Sequence, residues 1–275
     1  MKRNAIAVLF FLVSLMITSC SKMEALFTNG ETITEQRNLD HHFTAIKMFN
    51  NVNVKLVNDN HPHLELSCPK NLIEKVTTEI EGDTLIIKNE NDFNWLRSFD
   101  YSIDLTVYYD SLRQIDFASV GKLYCADSIR GVRELTIDST DAEIDSIWVK
   151  TFNLNVKEGC GDIDLTFNCN VVKTNYDNGT SLVTLRGKAP YTEIIMRSYG
   201  VVHAENLISN FVRVQSHSTN DAYVWAQTKL TVWLYSIGNV YYKGNPWIVQ
   251  ECTNDGRVFK LEYKCKTLIK TPSLV

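Results

Sequence analysis

Beyond residue 20 the sequence has no apolar run near the roughly twenty residues that a membrane-spanning helix needs, so the body of the chain is expected in water. It has no Lys/Arg-rich segment, and 28 basic against 32 acidic residues leave a net charge of −4. Nucleic acid is therefore removed from the expected partners. There is no G-x-S-x-G, no H-E-x-x-H and no phosphate-binding loop. Nor is there a C-x-x-C: Cys68, Cys125, Cys160, Cys169, Cys252 and Cys265 are irregularly spaced, and none has a histidine at zinc-ligand distance along the chain. They read as buried free thiols, with a disulfide between neighbouring turns of the chain as the alternative if the protein is exported. His61 and His63 share a strand face but flank Pro62 in a turn-rich stretch. No metal or other cofactor is implied.

What the chain does have begins at its start. Lys2 and Arg3 precede a thirteen-residue apolar run, Ala5–Ile17, too short for a permanent span and suited to a secretory signal. Ile17-Thr18-Ser19-Cys20 resembles a loose lipobox. This predicts a signal peptide over 1–19, a lipid on Cys20 as the membrane anchor and a tether over 20–30. Ser21 lacks the aspartate that retains lipoproteins at the inner membrane, which points to the outer membrane, cell surface or periplasmic face.

From residue 112 a repeat emerges. Short β-type runs are punctuated by small-residue corners: Ser119-Val120-Gly121, Ser139-Thr140-Asp141, Gly159-Cys160-Gly161, Gly179-Thr180-Ser181, Ser198-Tyr199-Gly200, Ser218-Thr219-Asn220, Ser236-Ile237-Gly238 and Asn254-Asp255-Gly256. Their third members lie 20, 20, 20, 19, 20, 18 and 18 residues apart. Two places further on stand Leu123, Glu143, Ile163, Val183, Val202, Ala222, Val240 and Val258, apolar seven times in eight. Such a column faces inward, and a unit too small to bury its own apolar face must stack on copies of itself. The reading is an all-β solenoid, a β-helix with rungs of about 18–20 residues. A β-sandwich with regular turn spacing is the alternative. Around Phe152–Val156 the alternation slips by one, suggesting an extra residue at Glu158-Gly159.

Residues 31–110 differ in texture. Val52, Val54 and Leu56 alternate, as do Leu64 and Leu66, and Tyr101 to Tyr109 makes a clean strand. Pro69 through Val76 suits a short helix. Glu81-Gly82-Asp83 suits a hairpin turn between Thr77–Ile80 and Thr84–Lys88. The expected organisation is a β-rich part over 31–110, repeats over 111–262 and a tail over 263–275.

Phe43-Thr44-Ala45-Ile46, Asn51-Val52-Asn53-Val54, Asn71-Leu72-Ile73, Glu81-Gly82-Asp83-Thr84-Leu85 and Gly238-Asn239-Val240-Tyr241-Tyr242-Lys243-Gly244-Asn245-Pro246 resemble the putative auto-transporter adhesin, head GIN domain family, over about residues 37–260. The resemblance implies a right-handed parallel β-helix, an exported protein of the Bacteroidetes type and an adhesin-like role. The chain departs from the family pattern in its corners and in carrying Asn50-Asn51 where glycine is usual.

Chemistry is thinner. Counted from the corners, Asp138 and Glu158 are the carboxylates that share a column on adjacent rungs, the one hint of a carbohydrate-active enzyme. No catalytic residues are expected from so slight a pair. The aromatics of the last rungs are more suggestive, and Trp225, Trp233, Tyr235 and Tyr241 are the candidates for stacking on a glycan or anchoring a protein partner. They would otherwise cover the open end of the stack. The expected function is thus a non-enzymatic envelope lipoprotein that binds a glycan, matrix or protein ligand. The alternatives are the enzyme and a periplasm-facing structural protein.

Overall fold

The computed structural model describes residues 30–91, 101–136 and 147–261; Cys20, Cys265, Asp138 and the corner 139–141 lie outside them. The fold is all-β. Its first strands are β1 (Thr32–Asn38), β2 (Ala45–Asn50), β3 (Asn53–Asn58) and β4 (His63–Pro69). After them come β5 (Val76–Glu81), β6 (Thr84–Asn89), β7 (Asp104–Tyr109), β8 (Gln114–Ser119) and β9 (Leu123–Cys125). The middle holds β10 (Val132–Thr136), β11 (Ile147–Val156), β12 (Ile163–Asn168), β13 (Val171–Asp177), β14 (Val183–Lys188) and β15 (Tyr191–Arg197). The chain closes with β16 (Val202–Ser216), β17 (Ala222–Leu234), β18 (Val240–Lys243), β19 (Trp247–Cys252) and β20 (Val258–Lys260).

From β11 onward each strand pairs in parallel with the strand one lap later. Thr151 faces Val171, Val171 faces Tyr191 and Tyr191 faces Phe211. Ile163 likewise faces Val183, Val183 faces Val202 and Val202 faces Ala222. Two ladders result, named here for β11 and β12. The long strands β16 and β17 serve both, their first halves in the β12 ladder and their second halves in the β11 ladder.

The column expected to face inward does so: Leu123, Ile163, Val183, Val202, Ala222 and Val240 are all buried. Each buried aliphatic side chain of this size contributes about 1.5–3 kcal/mol by leaving water. The corners are tight for two reasons. The Ser119 and Ser218 hydroxyls accept the backbone N–H two residues on, from Gly121 and Asn220 at 3.0 Å each. Gly121 and Gly161 stand so close to the preceding lap that a Cβ would enter the carbonyl oxygens of Val52 and Gly121 respectively. Asn50 adopts φ 61°, a left-handed conformation that asparagine tolerates better than most residues.

One expected rung is not a rung. The lap after β8 and β9 is β11 and β12, 39 to 40 residues further on: Gln114 faces Asn153 and Leu123 faces Ile163. Between them β10 folds back antiparallel on the start of β11, with Val132 opposite Thr151. The lap that precedes Glu158 is thus that of Ala118 and Ser119, whereas Asp138 and the corner read at Ser139-Thr140-Asp141 lie outside the described residues. The offset grows from 39 at Val156–Phe117 to 40 at Ile163–Leu123, which is the extra residue expected near Glu158-Gly159. Replacing residues 134–149 by Asn-Gly, a two-residue turn joining the paired Arg133 and Lys150, should leave the thermal midpoint within about 5 °C, because a lone hairpin adds little stability. A circular-dichroism melt that collapses would make this segment part of the stack.

The N-terminal strands belong to the same ladders. Parallel β2 lies between β6 and β8, with Ala45 facing both Thr84 and Gln114. Parallel β3 lies between β7 and β9. The boundary drawn near residue 110 thus falls inside the stack. Beyond β6 and β7 the pairing turns antiparallel: β5 closes on β6 through the expected Glu81-Gly82-Asp83 turn, and β4 then β1 lie against β7. The helix expected after Pro69 shrinks to a 3-10 turn, Ile73–Lys75, because β4 runs on to Pro69 opposite Thr32.

Candidate binding surface

Alternation along each strand points one set of side chains into the core and the other out. On the β11 ladder the outward columns read Val171, Tyr191, Phe211, Lys229, Trp247; then Asn153, Lys173, Glu193, Arg213, Thr231, Val249; then Asn155, Asn175, Ile195, Gln215, Trp233, Glu251. They form a furrow. Its first part, about 260 Å3, lies among Asn153, Asn155, Lys173, Asn175, Glu193 and Arg197. Its second, about 530 Å3, lies among Tyr191, Phe211, Arg213, Lys229, Thr231 and Trp233. Both are bordered by β15.

Charge on this face is paired between laps. The Arg213 guanidinium sits 3.6 Å from the Glu193 carboxylate and 4.6 Å over the Trp233 ring. Lys229 lies 5.1 Å over Trp247, itself 69% exposed. Arg197 bonds Asp177 at 2.8 Å and the Asn175 amide oxygen at 3.0 Å. At the far end Lys157 donates to Asp116 at 3.0 Å, and Asn155 and Gln114 each donate to the same carboxylate at 2.8 Å.

Burial raises the Asp116 pKa, but these three donors outweigh it and hold the carboxyl below its ordinary 3.8. A group depressed in the folded state stabilises the fold above its unfolded pKa and loses that contribution as pH falls through the folded value. Stability should thus decline below about pH 4, and Asp116→Asn should flatten that acid limb of a chemical-denaturation series.

The four sequence-flagged aromatics separate. Trp233 lines the furrow. Tyr235, on the same ladder's edge, stacks on His217 with centroids 4.5 Å apart. Tyr241 stands on the β12 ladder with Tyr223 at 5.0 Å on one face and Phe259 at 5.4 Å on the other, in a column that His203 continues. Both faces of Tyr241 are occupied, leaving its edge and hydroxyl outward. Trp225 also belongs to the β12 ladder, where Lys243 lies 5.4 Å over its ring. Sequence reasoning missed Tyr191, Phe211, Arg213 and Lys229. Their signal is the lap spacing, visible once the register is known.

Other concavities carry less. A depression of about 730 Å3 opens beside Asn50, Asn51, Asn89 and Asn91, but these amides hold the backbone, Asn50 bonding the Asn89 carbonyl at 2.8 Å and Asn91 the Leu72 carbonyl at 3.0 Å. His63 stacks on Tyr108 at 4.0 Å. Among the described residues no group of three or more His, Cys, Asp or Glu is placed to hold a metal ion. Burial pushes the Cys68 thiol up to about 11 and the Cys169 thiol up to about 12, values that suit inert packing groups.

The family model for the putative auto-transporter adhesin, head GIN domain, matches residues 42–246. The chain belongs to this family. Solved structures with the same fold include a putative adhesin from Bacteroides fragilis, 17% identical with a TM-score of 0.71, covering 86% of this chain and 100% of that one. A putative adhesin from Parabacteroides merdae is 17% identical with a TM-score of 0.56, covering 86% and 98%. A protein from Parabacteroides distasonis described as a putative lipid binding protein is 14% identical with a TM-score of 0.55, covering 85% and 98%. No curated protein matches in sequence. The family and these neighbours are described as adhesins or binders, not as enzymes.

Proposed function

We propose that this head GIN domain protein is a non-enzymatic binding module of the cell envelope: a right-handed parallel β-helix, anchored by a lipid on Cys20, whose β11-ladder flank captures an extended ligand. The observation that carries the reading is the furrow, in which the side chains of Tyr191, Phe211 and Trp233 line one depression on the outside of consecutive laps. Half-buried rings beside paired charges supply contact area with little rotamer freedom left to lose, the usual composition of a binding hot spot. The parallel ladders at steps of 18–20 residues support the β-helix, and Ala5–Ile17 with Cys20 supports export and lipidation. The enzyme reading rested on the Asp138–Glu158 column, and Glu158 stands one lap from Ala118 and Ser119.

Cells expressing the wild type should adhere to host or matrix glycans and should lose adhesion with Phe211→Ala/Trp233→Ala, while Trp225→Ala on the other ladder leaves it intact. Adhesion unchanged in the double variant would remove the furrow from the function. Palmitate labelling that is absent from Cys20→Ala, and protease shaving of the body from intact cells, test the anchor and the surface location. A body cleaved only after the outer membrane is opened would favour the periplasmic structural role instead.

A further inference from the structure

Lys173, Arg197, Arg213 and Lys229 line the furrow on four successive laps, and Lys157 follows β11 just beyond it. At first sight that is a track for a polyanion. The partners argue otherwise for most of them. Lys157 is held by Asp116, Arg197 by Asp177, and Arg213 by Glu193 and the Trp233 ring, while Lys229 lies over Trp247 and Lys173 is exposed with no ion pair among the described residues. In each ion pair the carboxylate and the cation come from neighbouring laps, so the charges fasten the stack to itself. A polyanion would have to displace these carboxylates, and Glu251 adds another negative charge beside Trp233.

Apart from Lys173 and Lys229, what the furrow offers a ligand is therefore mostly uncharged or already paired. Asn153 and Asn155 line its first part, Thr231 lines the second, and Gln215 stands between Ile195 and Trp233. The side chains of Tyr191, Phe211 and Trp233 complete it, with Arg213 lying over one face of the Trp233 ring. Amides and hydroxyls bond sugar hydroxyls, and aromatic rings lie against the C–H faces of pyranoses. The six strands that border it, β11, β13, β15, β16, β17 and β19, span about 24 Å at roughly 4.8 Å per strand. A pyranose in an extended chain advances by a similar step.

We infer that the furrow binds an uncharged polysaccharide laid along the stack, its successive sugars meeting successive laps, with the amide end at β11–β13 and the stacking end at β15–β17. This rests on the reading of the flank as the binding surface.

The test is affinity electrophoresis of the full mature protein in gels containing galactomannan, xyloglucan or dextran, against polygalacturonate, alginate or heparin. The expected result is retardation by at least one neutral polymer, changed less than about twofold on raising salt to about 0.5 M and weakened about tenfold or more by Trp233→Ala but not by Trp225→Ala. Retardation by the acidic polymers alone, abolished by salt and by Trp233→Ala, would overturn the neutral-ligand inference and leave the flank as the site. Binding that Trp233→Ala leaves unchanged would overturn the flank reading itself. Retardation by none of the six would overturn the polysaccharide inference and turn the flank toward protein ligands.

Discussion

Gly161→Val should be severely destabilised, with its urea midpoint far below that of the wild type or lost altogether. The methyl-bearing carbon it introduces would be driven into the Gly121 carbonyl oxygen, with the Val120 carbonyl carbon also within reach. Both obstacles are backbone in the core-facing corner of a lap, so no rotamer change relieves the clash. Overpacking in a well-packed interior costs about 1–3 kcal/mol when side chains can shift. Here whole laps would have to part, so the loss should exceed about 3 kcal/mol, a large share of a typical domain's stability. The matched control is Gly82→Ala in the β5–β6 hairpin. Nothing lies within 4 Å of a Cβ there and φ is +64°, so only the backbone strain of about 1 kcal/mol is at stake. Urea unfolding of the two variants reads the difference directly. Equal midpoints would mean that the laps are not stacked as closely as the corners indicate.

Excising β2 and β3 should be nearly as damaging, although they lie near the start of the chain. Deleting residues 45–58 takes out β2 and β3, which stand between the β6–β7 lap and the β8–β9 lap. The two faces left behind carry Leu85, Ile87, Leu105 and Val107 on one side and Ile115, Phe117 and Leu123 on the other, all buried. Their new register would have to be found without a template, and the expected product is aggregated. Ending the chain at Gly244 should be far milder, since of the described strands it removes β19 and β20 alone and a stacked repeat loses one interface per terminal lap. Size-exclusion chromatography of both truncations tests the contrast. A monomeric, melting-competent product from the internal deletion would contradict the interleaved order.

The sequence carried the corners because close stacking leaves room only for glycine and small hydroxyl residues, and that constraint repeats with the lap. It carried the inward column for the same reason. That β8 and β9 are followed in the ladders by β11 and β12 was not legible, since Ser139-Thr140-Asp141 has the composition of a hairpin turn and of a stack corner alike. The interleaving of β2 and β3 left no local trace, since parallel pairing across 69 residues, as between Ala45 and Gln114, depends on no turn. For the site, Trp233 was found and its neighbours were not. Aromatic type alone does not distinguish Trp233, one wall of a furrow, from Tyr241, whose faces are taken by Tyr223 and Phe259. What separates them is the residue one lap away in the same column, which only the register supplies.

The central claim is that ligand lies along the β11-ladder flank. Hydrogen–deuterium exchange of the full mature protein, with and without galactomannan oligosaccharides at saturating concentration, tests it most directly. The account predicts slowed exchange in segments 171–177, 191–197, 211–216 and 229–234, with the β12-ladder segments 183–188 and 240–243 unchanged. Protection confined to the His203–Tyr223–Tyr241–Phe259 column, or no protection on either ladder, would contradict it.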